Sequence, residues 1–140
     1  MKNLNIIVVD NKNDAQSTKD IFLGLNYQSI IYLAENEIEA WSLLQGNTKL
    51  RPVPKVIFID INREGINGME LLKKIRKHPI LKSLLVFILT NSTNNKNEAL
   101  DLNIAGFIRK PMDKDKITEV YSILNAYLDI IEFPRDNNKI

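Results

Sequence analysis

The chain of 140 residues contains no cysteine. That absence excludes disulfides, thiolate zinc sites and cysteine nucleophiles, and it is compatible with a reducing compartment. Long apolar runs are missing too. No stretch approaches the roughly 18 to 20 apolar residues of a membrane span. The apolar part of the N-terminal "MKNLNIIVVD" is too short for a secretory signal and ends on an acid. Charge of one sign is scarce: 19 Lys and Arg face 17 Asp and Glu, a net charge of +2. So small an excess, without a run of about five or six like charges, excludes a basic footprint for direct nucleic-acid binding. Histidine occurs once. His78 precedes a proline and has no nearby partner for catalysis or metal binding, so it reads as a surface residue at a helix end. What is present is ordinary for a globular protein, 44% hydrophobic and 26% charged residues, in a chain long enough for one well-packed core. A cytoplasmic, soluble, single-domain protein is expected, with no membrane contact.

Apolar runs alternate with helical patterns along the chain. "LNIIVV" (Leu4–Val9) is a buried strand by its β-branched content. Asp14–Leu25 follows as a helix with Ala15, Thr18, Ile21, Phe22 and Leu25 on one face. Ser29–Ala34 is a second strand. Asn36 then caps a helix through Leu44, with Glu39 placed as in a capping box and Trp41 and Leu44 turned inward. "VIFI" (Val56–Ile59) running into Asp60 is a third strand. A helix from Gly68 to Lys77 carries Met69, Leu72 and Ile75 or Arg76 near its seam, and His78-Pro79 closes it. Leu84–Thr90 is a fourth strand, Asn95–Asn103 a weak polar helix, and Gly106–Lys110 a short fifth strand. The last helix, Asp113–Ile131, has the clearest stripe: Ile117, Val120, Tyr121, Leu124, Leu128 and Ile131. Residues 132–140 form a polar tail. Five strands alternating with five helices imply an α/β fold, a doubly wound parallel sheet covered on both faces.

In such a sheet, ligands sit beyond the carboxyl ends of the strands, where strand order reverses. For the common order 2-1-3-4-5, that point lies between strands one and three. Asp10 ends strand one, Asp60 strand three, Thr90 strand four and Lys110 strand five. Each alone has a plain explanation: an acid after a strand is often a turn former or helix cap, and the lysine can be merely solvated. Together, four polar residues at four strand ends converge on one rim. The first strand-helix turn, "DNKND", has no glycine and two acids, so it cannot cradle a phosphate through bare backbone amides. Two close carboxylates would repel a phosphate unless a cation lies between them, and Mg²⁺ is the natural candidate. Asp60 could then attack phosphorus as a nucleophile. Lys110 would neutralise one phosphoryl oxygen and the Thr90 hydroxyl would hydrogen-bond another.

The acid ending "IIVVD", the segment "FIDINREGINGMELL" around Asp60, "FILT" ending in Thr90 and "GFIRKP" with Lys110-Pro111 together resemble the receiver domain of bacterial two-component response regulators. The likeness is to its stand-alone, CheY-like form, and it runs from about Leu4 to Ile131, within a receiver unit of residues 1–131. It implies a flavodoxin-like fold and a Mg²⁺-dependent phosphoacceptor, with at most self-catalysed phosphorylation and dephosphorylation and no turnover enzyme activity. Asp60 would take a phosphoryl group from a sensor histidine kinase or phosphotransfer protein. Asp10, the Asp60 carboxylate and the backbone carbonyl of Asn62 would hold Mg²⁺. Lys110 would pair with the phosphoryl group, Thr90 would move towards it, and Phe107 would be the switch aromatic that follows. Gly68 fits the glycine after the acceptor loop, and Pro111 would follow Lys110 through a cis peptide bond. The face formed by helix four, strand five and helix five would carry the output.

The chain departs from that pattern at three positions. Asn11 stands where a second acid is usual, so the metal binds more weakly or through Asn11 and water. Glu64 replaces a common proline, and Asn91 replaces a small residue and could crowd the approach to phosphorus. These departures keep alive a receiver-fold adaptor that is never phosphorylated. An Asp-nucleophile phosphatase resembling the haloacid dehalogenases is the other rival; it would need a second acid where Asn62 stands and a cap insertion the chain lacks. The downstream partner is unassigned. Tyr121, Tyr127 and Ile131 of helix five, with Phe133 of the tail, could build a homodimer face or simply pack on the sheet.

Overall fold

The computed structural model describes residues 4–45, 54–61, 68–91 and 101–131. Strands β1 (Asn5–Val9), β2 (Ile30–Ala34), β3 (Val56–Asp60), β4 (Leu85–Thr90) and β5 (Gly106–Arg109) form one sheet in the order β2-β1-β3-β4-β5. All four pairings are parallel. Among the described residues there are four α-helices: α1 (Lys12–Leu25), α2 (Glu37–Leu44), α3 (Gly68–Lys77) and α4 (Lys114–Ile130). A 3₁₀ turn at Leu81–Ser83 joins α3 to β4. Most of the expected polar helix at 95–103 lies outside the described residues, and its last residues, 101–103, form a turn. None of the described helices is long and apolar enough to cross a membrane.

The strands are apolar throughout because both faces of the sheet are covered. Successive side chains of a strand point to opposite faces, so each strand feeds two cores. Ile7, Val9, Ile57, Ile59, Val86 and Ile88 pack with Ala40 and Leu44 of α2 and Leu71, Leu72 and Ile75 of α3. Ile6, Val8, Val56, Phe58 and Leu89 pack with Ala15 and Phe22 of α1 and Ile117, Tyr121, Leu124 and Leu128 of α4. The stripe expected on the last helix is therefore its buried face. Tyr121 is 9% exposed and Ile131 packs against the same core, so both serve the sheet. Tyr127 faces outward with Ile123 and Ile130; Phe133 lies outside the described residues.

Two helix boundaries and one core residue differ from the sequence expectation. α1 begins at Lys12 rather than Asp14, because Asn11 is its N-cap and accepts a hydrogen bond from the Asp14 amide at 2.8 Å. α4 starts at Lys114 behind Asp113, whose side chain accepts from the Lys116 amide. Trp41 is half-buried rather than core. Ala40 takes the fully buried position of α2, and Trp41 lies at the rim against His78, ring centroids 6.1 Å apart, with the Lys74 ammonium 5.8 Å from its ring. Asn36 caps α2 as expected, accepting from the Glu39 amide, while Glu39 reaches back to the Glu35 amide.

Candidate phosphoacceptor site

The parallel register places the carboxyl ends of β1, β3, β4 and β5 along one rim. Val9 pairs with Ile59, Asp60 with Leu89 and Thr90 with Arg109, so Asp10, Asp60, Thr90 and Lys110 all arrive at the same edge. Asp10, Asp60 and Lys110 follow Val8, Phe58 and Ile108 by two residues. By strand alternation they share the side occupied by α1 and α4. Thr90 follows Ile88, which belongs to the opposite core, as does its register partner Phe107. The expected threonine–aromatic pair thus stands on the α2/α3 side of the sheet, with Thr90 at the same rim as the charged group. Thr90 is buried and Phe107 half-buried.

Three carboxylates meet one ammonium. The Lys110 Nζ donates to Asp10 and to Asp60 Oδ2, each at 2.9 Å. It also donates to Asp14 Oδ2 at 3.1 Å. The side chains of Asp10, Asp60 and Lys110 are 1%, 5% and 10% exposed, whereas that of Asp14 is 53% exposed. Burial alone pushes the Lys110 ammonium down, but its hydrogen bonds to Asp60, Asp10 and Asp14 outweigh this and hold it above the ordinary lysine value. Asp10 is displaced upward. Its burial and the nearby Asp60 charge raise it, against the opposing pull of Lys110 and the Asn11 amide, which donates to Asp10 Oδ1 at 2.7 Å.

Local chain geometry supports these placements. The Lys110-Pro111 peptide bond is cis, as expected. The Lys110 amide donates to the Thr90 carbonyl at 3.0 Å, which continues the β4–β5 ladder into the site. Gly68 opens α3 directly against the end of β3: a Cβ there would lie 2.7 Å from Ile61 Cγ2 and 2.9 Å from Ile59 Cγ2. Only glycine lets the helix start that close to the acceptor strand. Asn62 and Glu64 lie outside the described residues. Asn91 lines a cleft of about 460 Å³ with Asp10, Asp14, Ser17, Thr18 and Lys110, beside the group of charges. Asp14 is the member that sequence reasoning passed over. Its signal was the second acid of "DNKND", three residues after the asparagine that caps α1.

Residues 6–122 match the family model for the response regulator receiver domain. The chain belongs to the receiver domain family. Among curated receivers, it is 25% identical to response regulator Rcp1 of Synechocystis over 134 residues, covering 92% of this chain and 91% of Rcp1. Among solved structures, it is similar to a two-component response regulator from Legionella pneumophila, with TM-score 0.75 and 30% identity, covering 89% of this chain and 99% of that one. It shares the fold of the phosphorylated cyanobacterial phytochrome response regulator RcpA, with TM-score 0.78, 23% identity and coverage of 95% and 99%. As a receiver it has the acid pair, lysine and threonine at the strand ends and the expected sheet order. The donor set also suits a hard divalent cation. Asp10 and Asp60 offer only oxygen, and their carboxylates already converge on a positive charge, the ammonium of Lys110. Among the described residues no three acids or histidines are gathered so as to hold an ion by themselves. Two carboxylates completed by a carbonyl, waters and a phosphoryl oxygen are the arrangement a small hard ion prefers.

Proposed function

We propose that the chain is a phosphoacceptor of two-component signalling that works in the cytoplasm. An Asp60 carboxylate oxygen attacks the phosphorus of a phosphohistidine on a sensor kinase or phosphotransfer protein. The new O–P bond forms as the P–N bond breaks, and the imidazole leaves. Asp10, Asp60 and the Asn62 carbonyl would hold Mg²⁺, which would supply positive charge to offset the carboxylates and the phosphoryl oxygens. Lys110 is already within hydrogen-bond reach of Asp60. Moving one of its N–H groups from Asp60 Oδ2 to a phosphoryl oxygen requires only a short displacement. Thr90, on the neighbouring strand, donates its hydroxyl to a second phosphoryl oxygen. Its inward movement vacates space into which Phe107, on the same side of the sheet, can turn. The rearrangement then reaches the surface around β5 and α4, where a partner reads it.

The observation that carries this reading is the buried Asp60 carboxylate at the end of β3, held 2.9 Å from Lys110 beside Asp10. Intact-mass measurement after incubation with acetyl phosphate and Mg²⁺ tests it. A gain of one phosphoryl mass, absent in Asp60→Asn, is expected, without multiple turnover of a small phosphate ester. Sustained ester hydrolysis would point to a phosphatase. Failure to gain the mass at saturating Mg²⁺ would leave a receiver-fold adaptor.

A further inference from the structure

Asn11 occupies the position after Asp10, yet its side chain is committed to helix α1. Its Oδ1 accepts the Asp14 amide hydrogen bond at 2.8 Å, which fills the N-cap role. Its Nδ2 donates to Asp14 Oδ2 at 2.8 Å and to Asp10 Oδ1 at 3.3 Å. The only side-chain atom of Asn11 able to face a cation is therefore turned into the helix, its backbone carbonyl accepts from the Ala15 amide at 2.8 Å, and its positive N–H edge faces the carboxylates. Asp14 does the reverse. Placed in the first turn of α1, it brings Oδ2 to 3.1 Å from the Lys110 ammonium, the same cation that Asp10 and Asp60 hold. That ammonium marks a point where positive charge is already bound, and Asp14 reaches it from the open side of the cleft.

We propose that Asp14 supplies the second acidic charge of the cation pocket, relocated from position 11 into the first turn of α1, with Asn11 as the cap that aims it. The proposal rests on the reading of the site as a divalent-cation pocket. Asp14 acts as a positioning residue at the pocket's rim: it holds Lys110 inward and lowers the potential felt by a divalent ion, without being one of the ion's own ligands. A carboxylate across one water from a doubly charged ion changes its affinity by about tenfold.

Titration of the full chain with Mn²⁺ alone, followed by the EPR signal of the free ion, tests this. Asp14→Asn is expected to weaken Mn²⁺ binding about tenfold, with Asn11→Asp strengthening it by a similar factor. The exchanged variant Asn11→Asp/Asp14→Asn is expected to return to within about threefold of the wild type, since Asp is also a good N-cap. A purely structural role would instead shift the melting temperature and leave the Mn²⁺ affinity unmoved. Unchanged affinity in Asp14→Asn, or no recovery in a folded exchanged variant, overturns the assignment of Asp14 while leaving the pocket intact. Absence of Mn²⁺ binding by the wild-type chain overturns the pocket and the assignment together.

Discussion

Asp10 works against the fold at neutral pH. It is buried, it carries a like charge beside Asp60, and its pKa lies above its usual value of 3.8 for those reasons, although Lys110 and the Asn11 amide pull the other way. A carboxylate raised in the folded state takes up its proton before the unfolded chain does. Its cost to stability is therefore fully present above the folded pKa, falls as pH drops through that value, and is gone below 3.8. Lys110 has the opposite sign. Its raised folded value gives a stabilisation complete below the ordinary 10.5 and lost only at higher, strongly alkaline pH. Below the alkaline range, only the acid contribution changes with pH. Asp10→Asn is therefore expected to hold or raise the melting temperature near pH 7 by a few degrees while weakening Mg²⁺ binding, because retained site charges often cost stability. Calorimetry with and without Mg²⁺ checks this. A variant that melts well below the wild type and binds Mg²⁺ equally well would contradict it.

Among the elements, β3 and α3 set the acceptor's position. Asp60 was legible because an apolar run fully buried on both faces stops at a carboxylate, and a buried carboxylate needs a partner or a task. Gly68 was legible as part of a motif, but its physical reason, contact with Ile59 and Ile61, appears only once the helix is docked. Gly68→Ala is expected to cost about 1–3 kcal/mol in urea unfolding, since the added methyl group must displace well-packed isoleucines. It is also expected to slow phosphorylation, because the shift falls on the residues flanking Asp60. Wild-type stability and rate together would show that the close approach has no role. Arg76 marks where helical periodicity was insufficient. The stripe left Ile75 and Arg76 as alternatives for the seam of α3. The structure buries Ile75 and sends the Arg76 guanidinium to the carbonyls of Lys82, Leu84, Leu102 and Asn103. Burial lowers its pKa. The four carbonyls come from two segments that only the tertiary fold brings to this helix end, and a period of 3.6 residues carries no record of them. Asp14 escaped notice for the same reason: its reach to Lys110 depends on where Asn11 starts α1.

Across the whole molecule, residues far apart in sequence meet because a parallel sheet delivers each strand end to the same rim. With the common strand order 2-1-3-4-5 assumed, the convergence of Asp10, Asp60, Thr90 and Lys110 on one rim followed from apolar runs ending in polar residues. The placement of Thr90 and Phe107 on the other side of the sheet from Asp10, Asp60 and Lys110 did not, since it requires the register of β4 against β3 and β5. That division gives the receiver two working sides: charges and cleft beside α1 and α4, the threonine–aromatic pair beside α2 and α3. Under the proposed function, chemistry at Asp60 would be read out across the sheet through Thr90. The most direct test of this account is chemical trapping. The chain is phosphorylated with acetyl phosphate and Mg²⁺, reduced with borohydride, and mapped by peptide mass. An acyl phosphate at Asp60 predicts homoserine in place of aspartate at that position, and nowhere else. Unreduced Asp60 with homoserine at Asp10 or Asp14, or no reduction in a fully folded chain, would contradict it.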